Sequence, residues 1–153
     1  AQTAGSTVII DLPGAGQAAV VAAIPTLTRT DPDYQAAEVA ASVLGGGYSA
    51  RLNQEIRIKR GLSYGASAGL SARKRGGVLT ASTQTKNESA AEVADLLQAE
   101  LARLATAPIE AAELAARKST LIGGFGRTIE TVDGLAGEVG DLALYDLPLT
   151  ELE

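Results

Sequence analysis

At Gly61 the chain changes its hydrophobic period from that of a helix to that of a strand. Upstream, Ser49 to Lys59 reads as a helix with Leu52 and Ile56 stacked at i, i+4. Downstream, Tyr64, Ala66, Ala68, Leu70 and Ala72 alternate with Gly65, Ser67, Gly69 and Ser71, the pattern of a strand with one apolar face of small residues. The run Gly45-Gly46-Gly47 separates the charged helix from an Ala-rich helical stretch, Tyr34 to Leu44, which starts after Asp31-Pro32-Asp33.

The flanking sequence extends this alternation of element types. Ser6 to Leu12 is β-branched and stopped by Pro13 and Gly14, and Gln17 to Ile24 reads as a second strand ended by Pro25. The Pro-Gly-Ala-Gly connection between them suits a hairpin or tight corner. Arg73 to Gly77 is expected to be a hairpin loop, with Val78 to Thr85 as the returning strand. Thr85 and Glu88 have capping-box spacing, with Asn87 as a competing cap, ahead of a helix from about Glu88 to Leu104. Its apolar stripe is Val93, Leu96, Leu97, Leu101 and Leu104. Beyond Pro108, a helix runs from about Glu110 to Ile129, interrupted at Gly123, Gly124 and Gly126, where close packing or a bend is expected. A last helix covers about Asp133 to Tyr145. Strand pairs followed by helices predict an α+β layered sandwich with an antiparallel sheet, not a doubly wound parallel one. At 153 residues, 1–153 is expected to be a single domain.

Composition excludes several chemistries. The chain has no Cys and no His, which removes disulfides, thiolate catalysis, the commonest zinc ligand and the usual general base near neutral pH. Its compartment, periplasm or cytoplasm, stays open. No apolar run is long enough to span a membrane. Net charge is −5, unevenly placed: Arg51 to Arg75 carries seven cations against Glu55, giving +6, and the remainder is −11. Such an island can steer an anionic partner, although solvated helix and hairpin ends explain it more simply. Nucleic-acid binding by that segment lacks the aromatic platforms that stack on single strands. Gly45 to Gly47 lacks the Gly-Lys-Ser/Thr ending of a phosphate loop and is preceded by a helix, so it reads as a tight helix-to-helix turn. Glu92, Asp95, Glu100, Glu110 and Glu113 look like solvated helix faces.

Arg57 and Tyr64 are the candidate site residues. Gly61 ends the helix, Leu62 can plug the core, and Tyr64 begins a strand running back beside the helix, so the two side chains can converge near the junction. A guanidinium offers forked donors to a carbonyl, and a phenol can donate to a developing oxyanion. On spacing alone, a surface Arg packed over an ordinary core Tyr accounts for the pair more simply.

The series Leu-Gly-Gly-Gly…Ser-x-Arg-Leu…Glu-x-Arg…Arg-Gly-Leu-x-Tyr, from Leu44 to Tyr64, resembles the pitrilysin-like zinc peptidases (peptidase M16), in particular their bacterial processing-peptidase-like branch. The similarity continues through STQTKNESAAEVADLLQAEL and ELAARKSTLIGGFGRTIETVDGLAGEVGDLALYDLPL, essentially the whole chain. The resemblance implies the C-terminal, zinc-less domain, cut from a longer two-domain protein. It implies that zinc and its His-x-x-Glu-His motif lie in a homologous partner half, on the same polypeptide or a separate subunit, and that this chain binds no metal. Arg57 and Tyr64 match the family's Arg and Tyr across the cavity. They would bind an extended peptide substrate, and Tyr64 would help stabilise the tetrahedral intermediate. The alternative within the same family is a catalytically inert structural or pairing subunit. Glu110 stands where the family commonly places a Thr or Ser cap.

Overall fold

A computed structural model describes Ile10 and residues 14–152. The strand expected over Ser6 to Leu12 lies outside the described residues, apart from Ile10. Three strands, β1 (Ala18–Thr26), β2 (Ala66–Arg73) and β3 (Gly76–Thr85), form an antiparallel sheet in the order β1-β3-β2. Four α-helices accompany it: α1 (Tyr34–Gly45), α2 (Ala90–Thr106), α3 (Ala111–Ile129) and α4 (Val132–Leu144). The charged helix before Gly61 closes as a π-helical turn over Asn53–Ile58. The architecture is the α+β layering expected from the sequence.

The sheet's faces follow the pleat. Val20, Ala22, Ala66, Ala68, Leu79 and Ala81 turn toward the helices, where Leu44, Leu52, Ile56, Val93 and Leu97 complete the core. The stripe expected on α2 is the one used, with Leu96, Leu101 and Leu104 at the core's margin. Leu62 packs against the same cluster. The opposite face carries small, uncharged side chains, among them Ala19, Val21, Ser67, Ser82 and Gln84.

Three local expectations change. Pro25 does not end β1, which continues to Thr26 with Pro25 opposite Val78. Ala66 turns its N–H and C=O away from β3, so Thr83 opposite it faces β1 and pairs with Val20; the same alternation points the Pro25 nitrogen away from β3, where no ladder bond is lost. Thr85 caps no helix. It is buried in β3, and its hydroxyl donates to the Leu62 carbonyl oxygen at 2.7 Å; α2 starts without a side-chain cap, after a 3-10 turn at Asn87–Ser89. Gly123, Gly124 and Gly126 do not interrupt α3, and a Cβ at Gly123 would come no nearer than 3.6 Å to another group, the Arg127 guanidinium. The close approach occurs instead at Gly45, where a Cβ would collide with the Ala68 backbone nitrogen, so α1 can lie directly against β2.

Candidate functional site

The helix-to-strand junction is closed by backbone chemistry. Gly61 adopts φ 65°, the Gly61 N–H donates to the Arg57 carbonyl and the Leu62 N–H to the Ile56 carbonyl, both within 3.0 Å. This paired bonding around a left-handed residue ends a helix sharply, and Gly adopts it without a Cβ penalty. The chain thereby reverses within three residues and delivers Tyr64 to the head of β2.

Tyr64 is 91% exposed. An ordinary core tyrosine would be buried, so that simpler account of the residue does not hold. Tyr64 helps line an open groove of about 510 Å³ on the sheet face away from the helices. Gln17, Ala19, Val21, Ser67, Ser82 and Gln84 line the groove with Tyr64, and none of its lining residues is charged.

The backbone around Tyr64 is fixed on both sides although its side chain is free. Thr85 holds the Leu62 carbonyl, as described above. Thr83 Oγ1 lies 2.7 Å from both Ser63 Oγ and the Gly65 carbonyl oxygen, and the Gly65 N–H donates to Ser63 Oγ at 3.1 Å. The Ala66 N–H donates to Asn53 Oδ1 at 2.9 Å, and Asn53 Nδ2 donates to the Ala66 carbonyl at 2.8 Å. Thr83, Thr85 and Asn53 are all buried, and each makes hydrogen bonds to this segment.

Arg57 is exposed on the last turn of the π-helix, with its Cζ 4.7 Å from the centre of the Tyr48 ring. That ring, 62% exposed, belongs to the glycine turn. Its quadrupole attracts the guanidinium, so Tyr48 is a platform for Arg57. No sequence signal marks Tyr48, because its nine-residue separation from Arg57 matches no helix or strand period. Arg57 and Tyr64 thus both project to solvent from the two arms of one short reversal; the groove is lined by Tyr64 and not by Arg57.

The glycine turn is held from α3. Arg117 Nη2 donates to Ser49 Oγ at 2.9 Å, and Nη1 to the Gly46 carbonyl at 3.3 Å. Arg51 makes a forked pair with Glu113, Nε to Oε1 at 3.0 Å and Nη2 to Oε2 at 2.7 Å. That hydrogen bonding holds the Glu113 carboxyl below the usual carboxylate range and pushes the Arg51 guanidinium up. Glu113 and the buried Glu100 are therefore not the solvated helix charges expected from their spacing. Four of the seven cations in the basic island are paired: Arg51 with Glu113, Lys59 and Arg60 with Glu55, and Lys74 with Asp146. Such pairing favours the solvated-end account of the charge over an anionic partner.

Among the described residues, no group of three or more His, Cys, Asp or Glu could hold a metal ion, and no helix is long and apolar enough to cross a membrane.

A family model described as "Peptidase M16 inactive domain" matches residues 1–121. An uncharacterized zinc protease of Streptomyces coelicolor is 52% identical over 48 residues, covering 31% of this chain and 10% of that protein. Among solved structures, a peptidase M16 inactive domain from Pseudomonas fluorescens is 30% identical with a TM-score of 0.83, covering 90% of this chain and 33% of that one. A protease from Helicobacter pylori, 21% identical, has the same fold with a TM-score of 0.76, over 86% of this chain and 32% of the other. This chain therefore spans a third or less of the length of these three relatives.

Proposed function

The chain belongs to the peptidase M16 inactive-domain family, and we propose that it forms the half of a zinc metalloendopeptidase site that holds peptide but not metal. The observation that carries this reading is the 91% exposure of Tyr64 on a backbone fixed by buried Asn53, Thr83 and Thr85. Fixing a backbone so thoroughly while leaving a large phenol in water makes little sense for packing. It suits a donor that must meet a partner at a set position.

In this reading the sheet face beside Tyr64 borders the cavity between the two halves, and an extended peptide lies along it. Arg57, steadied by Tyr48, donates to a peptide carbonyl or carboxylate through its forked N–H groups. The Tyr64 hydroxyl donates to the oxyanion as the scissile carbonyl becomes tetrahedral, where a hydrogen bond is stronger than in the ground state. The homologous partner half, in the same polypeptide or another subunit, contributes zinc, which supplies an activated water and a Lewis acid. This chain supplies orientation and charge stabilisation only.

Reconstitution tests the division of labour. This chain alone should cleave no internally quenched peptide and bind no stoichiometric zinc, whereas the polypeptide or complex that joins it to its His-x-x-Glu-His half should cleave it. Peptidase activity of the isolated chain contradicts the reading, and an inactive complete assembly favours the inert pairing subunit.

A further inference from the structure

We propose that Asn53 is the positioning residue of this site, setting Tyr64 and the Tyr48–Arg57 platform in one frame; this deepens the functional reading above and rests on it. Asn53 is 7% exposed, and its amide is fully used. Nδ2 donates to the Gly47 carbonyl at 2.9 Å and to the Ala66 carbonyl at 2.8 Å, while Oδ1 accepts from the Ala66 N–H at 2.9 Å. One side chain therefore ties three pieces of chain. Gly47 immediately precedes Tyr48, Ala66 follows Tyr64 by two residues, and Asn53 itself lies one turn before Arg57.

The bonds to Ala66 have a particular form. The Ala66 N–H and C=O both point away from β3, as at the outer rim of a sheet, and the Asn53 amide meets them as a neighbouring strand would. A carboxylate at 53 could not donate to the two carbonyls, and a hydrocarbon could satisfy none of the three groups. The widened π-helical turn that begins at Asn53 accompanies this inward placement, since its bonding runs from the Lys59 N–H to the Gln54 carbonyl.

Asn53 touches neither groove nor substrate, so its effect must pass through the residues it places. Misplacement of a catalytic group by about 1 Å can cost on the order of 10²-fold in rate. In the intact peptidase, Asn53→Ala should lower kcat about tenfold or more on an internally quenched peptide, at an unchanged thermal midpoint of the zinc half. The decisive readout is the cycle with Tyr64→Phe. The double variant should have a kcat no lower than that of Tyr64→Phe alone, because a misplaced hydroxyl and a missing one are equivalent, while the displaced Arg57 platform shows only in KM. Multiplicative losses, or wild-type kcat in Asn53→Ala, overturn the proposal.

Should Asn53→Ala not fold, Asn53→Ser carries the same cycle, retaining one hydroxyl for one of the three bonds. Amide exchange separates this proposal from the functional reading. Exchange at Ala66 should accelerate at least about tenfold in the Asn53 variant and not in Tyr64→Phe, whatever the activity. Unchanged Ala66 exchange defeats the positioning role. Full activity of Tyr64→Phe, with accelerated Ala66 exchange in the Asn53 variant, defeats the functional reading and leaves the tie intact.

Discussion

Two regions of this molecule expose large side chains, and they do so for different physical reasons. At the reversal from the π-helix to β2, Tyr48 and Tyr64 stand in solvent while the residues beneath them are buried: Leu52 and Ile56 in the core, Asn53, Thr83 and Thr85 in saturated hydrogen bonds. Along α3 and α4, Ile122, Val132, Leu135, Val139 and Leu144 are exposed above little buried structure, with Arg117 the buried residue of α3 and Leu142 that of α4. The end of α4 is tethered to the β2–β3 hairpin by polar contacts, Tyr145 Oη to the Ala72 carbonyl at 3.4 Å and Lys74 to Asp146 at 3.2 Å. Exposure on a rigid frame suits recognition. Exposure on a thinly packed one is only incomplete burial.

The largest expected difference is in stability. Leu52→Ala removes a fully buried side chain from the cluster under the reversal and should cost about 3–4 kcal/mol, whereas Val132→Ala on α4 should stay within about 0.5 kcal/mol. Denaturant titration of both variants measures it, and equal losses would abolish the distinction between the regions. Next comes the tie from α3 to the π-helix. Glu113→Gln leaves the buried Arg51 without its anion and should cost about 2 kcal/mol at pH 7, less than a fully enclosed pair because Glu113 is partly exposed.

The same pair fixes a pH dependence. The folded pKa of Glu113 is depressed, so its contribution is complete above the unfolded carboxylate value of about 4.3 and is lost as pH falls through the folded value. Stability of the native chain should therefore drop on acidification below about pH 4, and Glu113→Gln should flatten that limb. The smallest effect concerns the platform. Tyr48→Ala should raise KM by a few-fold with kcat nearly intact, since an exposed cation–π contact is worth about 0.5–1 kcal/mol. A fall in kcat matching that of Tyr64→Phe would instead put Tyr48 at the reacting atoms.

Much of the frame was legible in the sequence, since it rests on local signals. The stop at Gly61 and the α2 stripe reappear where the pattern put them, whereas the alternation read from Tyr64 forms a strand only from Ala66, with Tyr64 outside it and exposed. What escaped depends on contacts distant in sequence. Arg51 reaches Glu113 and Arg117 reaches Gly46, separations of 62 and 71 residues that no window of local periodicity can register. Thr85 has the spacing of a cap because that signal is local, while its bond to Leu62 is tertiary. Pro25 looked like a terminator because its missing N–H matters only if the ladder needs it, and that depends on strand order. Arg57 and Tyr64 are candidates on spacing and take their role from the resemblance, whereas Asn53 and Tyr48 come from the structure.

The central claim is that Tyr64 is exposed in order to act on a substrate. Steady-state kinetics of Tyr64→Phe in the intact peptidase, with an internally quenched peptide, tests it most directly. Loss of one oxyanion donor should lower kcat about 10²-fold with KM nearly unchanged and no loss of thermal stability, because Tyr64 is 91% exposed and its hydroxyl makes no hydrogen bond among the described residues. Wild-type kcat in a fully active assembly would contradict the claim and leave Tyr64 as surface.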